Sequence, residues 1–189
     1  MRSLGLWALL SLAACGGVET RLATEQPADK GPVVMKPSVH ERNQLVDFGA
    51  NPDAPEPPDI GIAIALVPES QGSGTAYHVD RPIVLAGSYR VDGKLFQEYE
   101  QNPAAAIKLT LTRKDKPGVE SVPLYSPKSK IAPRGGGTPP VYGEGYRVGG
   151  QFKVDLRLFF GLPGEPGTYV VVASLGLRPS QELSFEIVR

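Results

Sequence analysis

Cysteine and histidine are nearly absent from this sequence of 189 residues, which contains one Cys and two His. A single Cys excludes an internal disulfide and a site made of several thiolates, and two His exclude a multi-histidine metal centre. The 20 basic and 20 acidic side chains balance, which argues against a nucleic-acid-binding protein that depends on a strongly basic surface. We therefore expect no metal, no cofactor and no nucleic-acid partner.

Glycine and proline are abundant instead, with 22 Gly and 19 Pro in the chain. Both residues interrupt helices, so this composition argues against a helical bundle. It favours a turn-rich β protein that also has a loosely structured segment.

The first fourteen residues have the layout of a secretory signal peptide. Arg2 supplies a positive charge, and an apolar run follows from Leu4 to Ala14. As a helix this run would be about 16 Å long, which is too short for a hydrocarbon core of about 30 Å. A positive start, a short apolar centre and a small-residue end are typical of a segment that is removed after export.

The sequence Leu12-Ala13-Ala14-Cys15 ends this run and resembles the lipobox of bacterial lipoproteins. The resemblance implies a diacylglyceryl group on the Cys15 sulfur, cleavage just before Cys15, and acylation of the new amino group. Two or more acyl chains hold a protein durably on a membrane. In such lipoproteins an Asp directly after the Cys often retains the protein at the inner membrane. Here Gly16 holds that position, and the absence of the Asp favours the outer membrane. An ordinary secreted protein with an incidental Cys is the alternative.

Residues 15–58 contain seven prolines among charged and small residues, and we expect them to form a tether. Within it, Ser38-Val39-His40-Glu41 matches a helix capping box, and the residues up to Phe48 would continue the helix for one or two turns. An irregular segment is the alternative there. Residues 59–189 would then form the folded domain.

From residue 59 the hydrophobic pattern is that of short β-strands separated by Gly/Pro turns. A turn is expected at Asp92-Gly93, and a hairpin loop at 115–118. Strands are predicted over 60–67, 82–91, 107–112, 119–125, 152–160, 169–175 and 183–187. This pattern predicts an all-β fold with a single antiparallel β-sandwich.

The segment Pro166–Val172 resembles the start of the F strand in immunoglobulin-like domains. A Tyr at this point of those domains forms the tyrosine corner, in which its hydroxyl bonds to the chain a few residues upstream. Tyr169 holds the matching position, whereas Val171 replaces the disulfide Cys of antibody domains. The one Trp, Trp7, lies in the signal peptide. The resemblance therefore implies a disulfide-free immunoglobulin-like sandwich, with an ordinary strand tyrosine as the alternative.

Candidate catalytic residues are few, and we do not expect an enzyme. His40 lies in the predicted tether. His78 follows a Gly-rich loop and precedes Asp80, a pair that is at most a fragment of a catalytic or metal site. The glycine runs at 135–137 and 143–149 lack the spacing of phosphate-binding loops and are interpreted as loops. Six basic side chains between 113 and 134 are interpreted as a solvated face, with a patch for acidic polymers as the alternative.

The leading functional hypothesis is a lipid-anchored envelope protein with a structural or partner-binding role, such as an accessory subunit or adaptor that contacts another envelope protein. The alternative is a carbohydrate- or peptidoglycan-binding lipoprotein. In that case Tyr77, Tyr142 and Tyr146, which we expect to lie in Gly-rich loops, would stack on sugar rings. Tyr142 and Tyr146 are the candidate ligand contacts. A hydrolase that depends on His78 is the third hypothesis.

Overall fold

A computed structural model describes residues 36–69, 74–116, 118–126, 142–143 and 145–189. The predicted signal peptide, Cys15 and the first part of the predicted tether lie outside these residues. Within the described residues the chain forms ten strands, three short α-helices and one 3-10 helix. The all-β class predicted from the sequence therefore describes the fold.

The elements follow one another in a simple order. The strands are β1 (Val46–Asp47), β2 (Gly61–Leu66), β3 (Ala76–His78), β4 (Val84–Asp92), β5 (Ile107–Arg113), β6 (Val119–Pro123), β7 (Arg147–Asp155), β8 (Gly167–Leu175), β9 (Arg178–Pro179) and β10 (Leu183–Val188). The α-helices are α1 (Val39–Gln44), α2 (Gly93–Glu98) and α3 (Leu156–Phe160), and the 3-10 helix is Pro103–Ala106.

The strands form two sheets that share one hydrophobic core. The four-stranded sheet has the order β1-β7-β4-β2, and the six-stranded sheet has the order β3-β10-β8-β5-β6, with β9 also paired to β8. Among the described strands, the pairing of β3 with β10 is parallel and the others are antiparallel. Alternate residues of β8 are buried, as a strand with one face on the core requires.

The strand predicted over residues 152–160 is wrong in its second half. β7 ends at Asp155, whose carboxylate accepts a hydrogen bond from the backbone N–H of Arg157 and so caps α3. Leu156, Phe159 and Phe160 are buried, which is the i, i+3, i+4 spacing of one helical face. The alternation of apolar residues continues by coincidence up to Leu158, which is exposed.

The turn predicted at Asp92-Gly93 is also wrong, because β4 leads directly into a helix. The Asp92 carboxylate accepts the backbone N–H of Leu95 at 2.8 Å and caps α2. After α2 the chain forms a Schellman turn, in which Gln101 N–H bonds the Phe96 carbonyl at 2.8 Å. Glu100 holds the left-handed position of this turn with φ 52°.

The capping box at Ser38 is confirmed. The Ser38 hydroxyl accepts the backbone N–H of Glu41, and the Glu41 carboxylate accepts the backbone N–H of Ser38 at 2.7 Å. Because the Ser38 hydrogen bonds favour the charged form, they hold the pKa of Glu41 below its usual value. The helix is shorter than expected, since α1 ends at Gln44 and a strand follows.

Part of the predicted tether, residues 15–58, packs against the strands of the predicted domain. Val46 pairs with Val154, which makes β1 an edge strand of the four-stranded sheet. Asn43 connects this segment to the chain that follows β6: its Nδ2 donates to the Ser126 carbonyl at 2.6 Å, and its Oδ1 accepts the Ser126 N–H at 3.0 Å. These contacts join the segment to the four-stranded sheet and to the chain just after β6.

Candidate binding surface

Three aromatic rings meet where α2 faces the chain that leads into β7. The Tyr142 and Tyr146 rings are stacked, with centroids 4.4 Å apart and planes inclined by 26°. The Phe96 ring contacts Tyr142 edge-on at 5.3 Å and lies 6.1 Å from the Tyr146 ring. Tyr146 is the most exposed member, with 38% of its surface accessible. We call these three residues the aromatic cluster.

The position of Phe96 in the cluster follows from the way α2 is held. Asp92 caps the helix, and the buried Leu95 side chain fixes one helical face on the core. Phe96 follows Leu95 directly, so its side chain leaves the helix beside the face that packs on the core, and it is half-buried. Gly93 allows the close approach, because a Cβ at that position would lie 2.6 Å from the Tyr142 Cβ.

Tyr146 is placed by a tight turn just before β7. Its backbone N–H donates to the Gly143 carbonyl at 3.2 Å, which closes the turn. Gly145 adopts φ 86° within it, a conformation that side chains with a Cβ rarely reach. Because β7 begins at Arg147, the glycine run at 143–149 is only partly a loop, and its last residues are strand.

A salt bridge lies next to Tyr146. The Arg147 guanidinium donates from Nη1 to the Tyr146 carbonyl at 3.2 Å, and from Nε and Nη2 to the two Asp59 carboxylate oxygens at 3.4 Å each. The side chains of Arg147 and Asp59 are 36% and 77% exposed. The aromatic cluster is thus flanked by a paired cation and anion that both reach solvent.

The prediction that Tyr77 is a loop tyrosine is wrong. Tyr77 lies in β3, is fully buried and packs edge-on against Phe185 at 6.1 Å. Its hydroxyl donates to the Val67 carbonyl at 2.9 Å. Burial, with a smaller contribution from Glu69, raises the pKa of Tyr77 to about 12. Tyr77 is therefore a core residue and does not join Tyr142 and Tyr146.

The two histidines lie on different elements. His40 is exposed in α1, and His78 is exposed at the end of β3, where its backbone N–H donates to the Glu69 carboxylate at 3.1 Å. Within the part of the chain that the structure describes, no three or more His, Cys, Asp or Glu side chains are grouped as metal ligands would be. None of the described helices has the length and hydropathy needed to span a bilayer.

Arg113 and Lys116, two of the basic residues noted in the sequence, are held in ion pairs. Arg113 Nε and Nη1 contact Asp115 and Glu165 at 2.6 Å, and Lys116 contacts Glu165 at 2.7 Å. Hydrogen bonds from Arg113 lower the pKa of Asp115, and hydrogen bonds from Lys116 and Arg113 lower the pKa of Glu165. The hydrogen bonds to Asp115 and Glu165 in turn raise the pKa of Arg113. The basic residues at 128–134 lie outside the described residues.

An open groove of about 290 Å³ lies beside these ion pairs. Leu111, Leu162 and Tyr169 form part of its floor, and Lys36 and Glu120 lie at its rim, where their side chains pair at 2.5 Å. The charged side chains that line the groove are thus largely neutralised by ion pairs with other side chains of the protein. This arrangement favours a structural role for the groove over the binding of a charged ligand.

The sequence named Tyr142 and Tyr146 as candidate contacts, and the structure brings their rings together. It did not single out Phe96, and Cys15 lies outside the described residues. The available signal was Asp92, an N-cap residue type placed three residues before Leu95, the residue whose N–H it caps. Asp92-Gly93 also matches a hairpin turn, because Asp-Gly is a strong hairpin sequence, and this match favours a turn over a helix start. The contact between residue 96 and residues 142 and 146 joins distant parts of the chain, so only the folded structure reveals it.

No protein-family model, no curated protein and no solved structure matches this chain.

Proposed function

We propose that this protein is a lipid-anchored envelope protein with a partner-binding role. The anchor is Cys15, and the support for it is the lipobox-like sequence at the end of the apolar run. From Cys15 to Met35 the chain has 21 residues before the first described residue. Even fully extended, this stretch reaches at most roughly 70–75 Å, which limits how far the folded body can lie from the membrane.

The folded body in this proposal is an immunoglobulin-like β-sandwich. Two sheets around one core support it, and so does the hydrogen bond that the Tyr169 hydroxyl donates to the Glu165 carbonyl at 3.3 Å. This is the geometry of a tyrosine corner, in which the ring locks the start of its strand to the preceding turn. Such a body presents its turns and strand ends to a partner.

The aromatic cluster is the observation that carries the binding role. Aromatic side chains with few rotatable bonds lose little conformational entropy on binding and dominate the energy of many interfaces. Tyr142 and Tyr146 were the candidate contacts, and Phe96 adds a third ring beside them. A surface built from stacked rings suits recognition rather than acid–base or nucleophilic chemistry.

Site-specific crosslinking in intact cells tests this role. A photo-crosslinking residue in place of Gly143, which is exposed in the turn before Tyr146 and where an added Cβ would meet no atom within 4 Å, should give a discrete adduct. The adduct should disappear when Tyr146→Ala is added. The same probe in place of Lys108, exposed on β5, is the matched control and should give none. Equal adducts at both positions, or an adduct that survives Tyr146→Ala, would remove the cluster as the binding surface.

A further inference from the structure

The aromatic cluster leaves one ring partly open to solvent. Tyr146 is 38% exposed, while Tyr142 stacks on it and Phe96 lies beside both rings. The turn closed between Gly143 and Tyr146 fixes the backbone that carries the ring. A ring held in this way is ready to stack on a ligand without rearrangement, which lowers the entropic cost of binding.

The two polar side chains next to this ring, Arg147 and Asp59, can form further hydrogen bonds with a ligand. Arg147 and Asp59 are joined by bonds of 3.4 Å, which are longer than the 2.7–2.9 Å usual for charge-assisted bonds. A guanidinium has five donor hydrogens and a carboxylate about four acceptor sites, so both groups retain unused capacity. Because the two charges cancel, the pair offers a donor and an acceptor without selecting a charged ligand.

The size of this surface argues against a large protein interface at the ring itself. A stable protein–protein interface buries about 800 Å² on each partner and uses several anchors. Here a single exposed ring stands beside one neutral ion pair. A sugar ring matches this arrangement, because its face carries C–H groups that are attracted to the negative face of an aromatic ring, while its hydroxyls lie at the periphery.

We propose that the Tyr146 ring and the Arg147–Asp59 pair bind one uncharged sugar unit of an envelope glycan. The sugar ring stacks on Tyr146, and its hydroxyls accept from Arg147 and donate to Asp59. This inference rests on the proposed role of the aromatic cluster as the binding surface, and it names the ligand of that surface.

Titration calorimetry on the full-length protein in detergent tests the inference, with hexa-N-acetylchitohexaose, maltohexaose and mannohexaose as uncharged probes and polygalacturonate as the acidic probe. At least one uncharged probe should bind. Tyr146→Ala should weaken that binding at least tenfold, Arg147→Gln should weaken it several-fold, and Tyr146→Phe should retain most of it because stacking persists. Phe48→Ala, at a ring of similar exposure (42%) that packs on Tyr125 instead, is the control and should bind normally.

Two kinds of result would overturn the inference. One is that no uncharged probe binds, or that Tyr146→Ala binds as well as the unaltered protein. The other is that polygalacturonate alone binds, with an affinity that falls steeply as salt is added. If either occurs while the crosslink at position 143 still depends on Tyr146, the cluster remains a binding surface whose partner is not an uncharged glycan. Unchanged melting temperatures of the variants separate loss of binding from loss of folding.

Discussion

The hydroxyl of Tyr169 donates a hydrogen bond to the backbone carbonyl of Glu165, four residues upstream. The ring of Tyr169 stacks on Phe185 with centroids 5.4 Å apart, and the Arg113 guanidinium lies 5.5 Å from its centre. Arg113 also bonds the carbonyl of Pro166 at 2.9 Å. One tyrosine therefore ties the turn before β8 both to the core and to the end of β5.

Tyr169→Phe should lower the free energy of unfolding by about 0.5–1 kcal/mol. This cost lies at the lower end of the range expected for the loss of one hydrogen bond. The reason is that the 3.3 Å between the Tyr169 hydroxyl and the Glu165 carbonyl oxygen is long for a hydroxyl donor. Urea unfolding measures it. Tyr146→Phe, the same change at an exposed ring, is the control and should leave stability unaltered. A Tyr169→Phe variant with an unchanged unfolding midpoint would mean that the hydroxyl contributes nothing to the corner.

Acid should weaken the ion pairs of Asp115 and Glu165. Their pKa values lie below the usual 3.8 and 4.5, so the stability they contribute is complete above those values and is lost as the pH falls through the folded-state pKa values. The free energy of unfolding should therefore decline below about pH 4.5. Both carboxyls are exposed, so added salt should reduce the effect.

The double variant Asp115→Asn with Glu165→Gln provides the comparison for this pH dependence. It lacks the two titrating groups, so its stability should fall less steeply between pH 5 and pH 2 than that of the unaltered protein. Urea unfolding at several pH values gives the two slopes. Parallel curves for the two proteins would show that other carboxyls control the acid response.

Glu100→Gly should stabilise the protein by about 1 kcal/mol, because Glu100 holds a left-handed conformation that is unfavourable for a residue with a Cβ. Gly161 occupies the same position after α3 with φ 60°. Gly161→Ala is thus the matched variant and should destabilise by about 1–2 kcal/mol. If Glu100→Gly lowers the melting temperature instead, contacts of the Glu100 side chain outweigh the backbone strain.

Asn43→Ala should cost about 1–3 kcal/mol of stability, since it leaves the N–H and C=O of Ser126 without the side chain that bonds both. Gln44→Ala, at an exposed position of the same helix, should change stability by less than about 0.5 kcal/mol. Thermal unfolding compares the two. Equal, small effects would mean that the segment before β1 adds little to the stability of the folded body.

The sequence predicted those elements whose pattern is determined locally. Ile107, Leu109 and Leu111 alternate with polar residues in β5, and Ser38 with Glu41 forms the expected capping box. Tyr169 lies in the predicted strand and its hydroxyl bonds upstream, as the resemblance implied. In each case short-range spacing determines both the pattern and the structure.

The wrong predictions share a physical reason. In each case the local sequence is compatible with two structures, and contacts with distant residues determine which of them forms. Residues 156–160 satisfy a strand alternation as well as a helical face, and burial of Phe159 with Phe160 decides for the helix. Tyr77 is buried because β3 pairs in parallel with β10, more than a hundred residues away in the sequence. The contact of Phe96 with Tyr142 likewise requires the completed fold.

The proposal that this protein is lipid-anchored at the envelope is tested most directly by intact-mass spectrometry of the protein purified from the cells that naturally produce it. The account predicts a chain that begins at Cys15, lacks the peptide containing Trp7, and exceeds the mass of residues 15–189 by the mass of two or three acyl chains with their glyceryl group. A chain that still begins at Met1, or one whose Cys15 carries a free thiol, would contradict it.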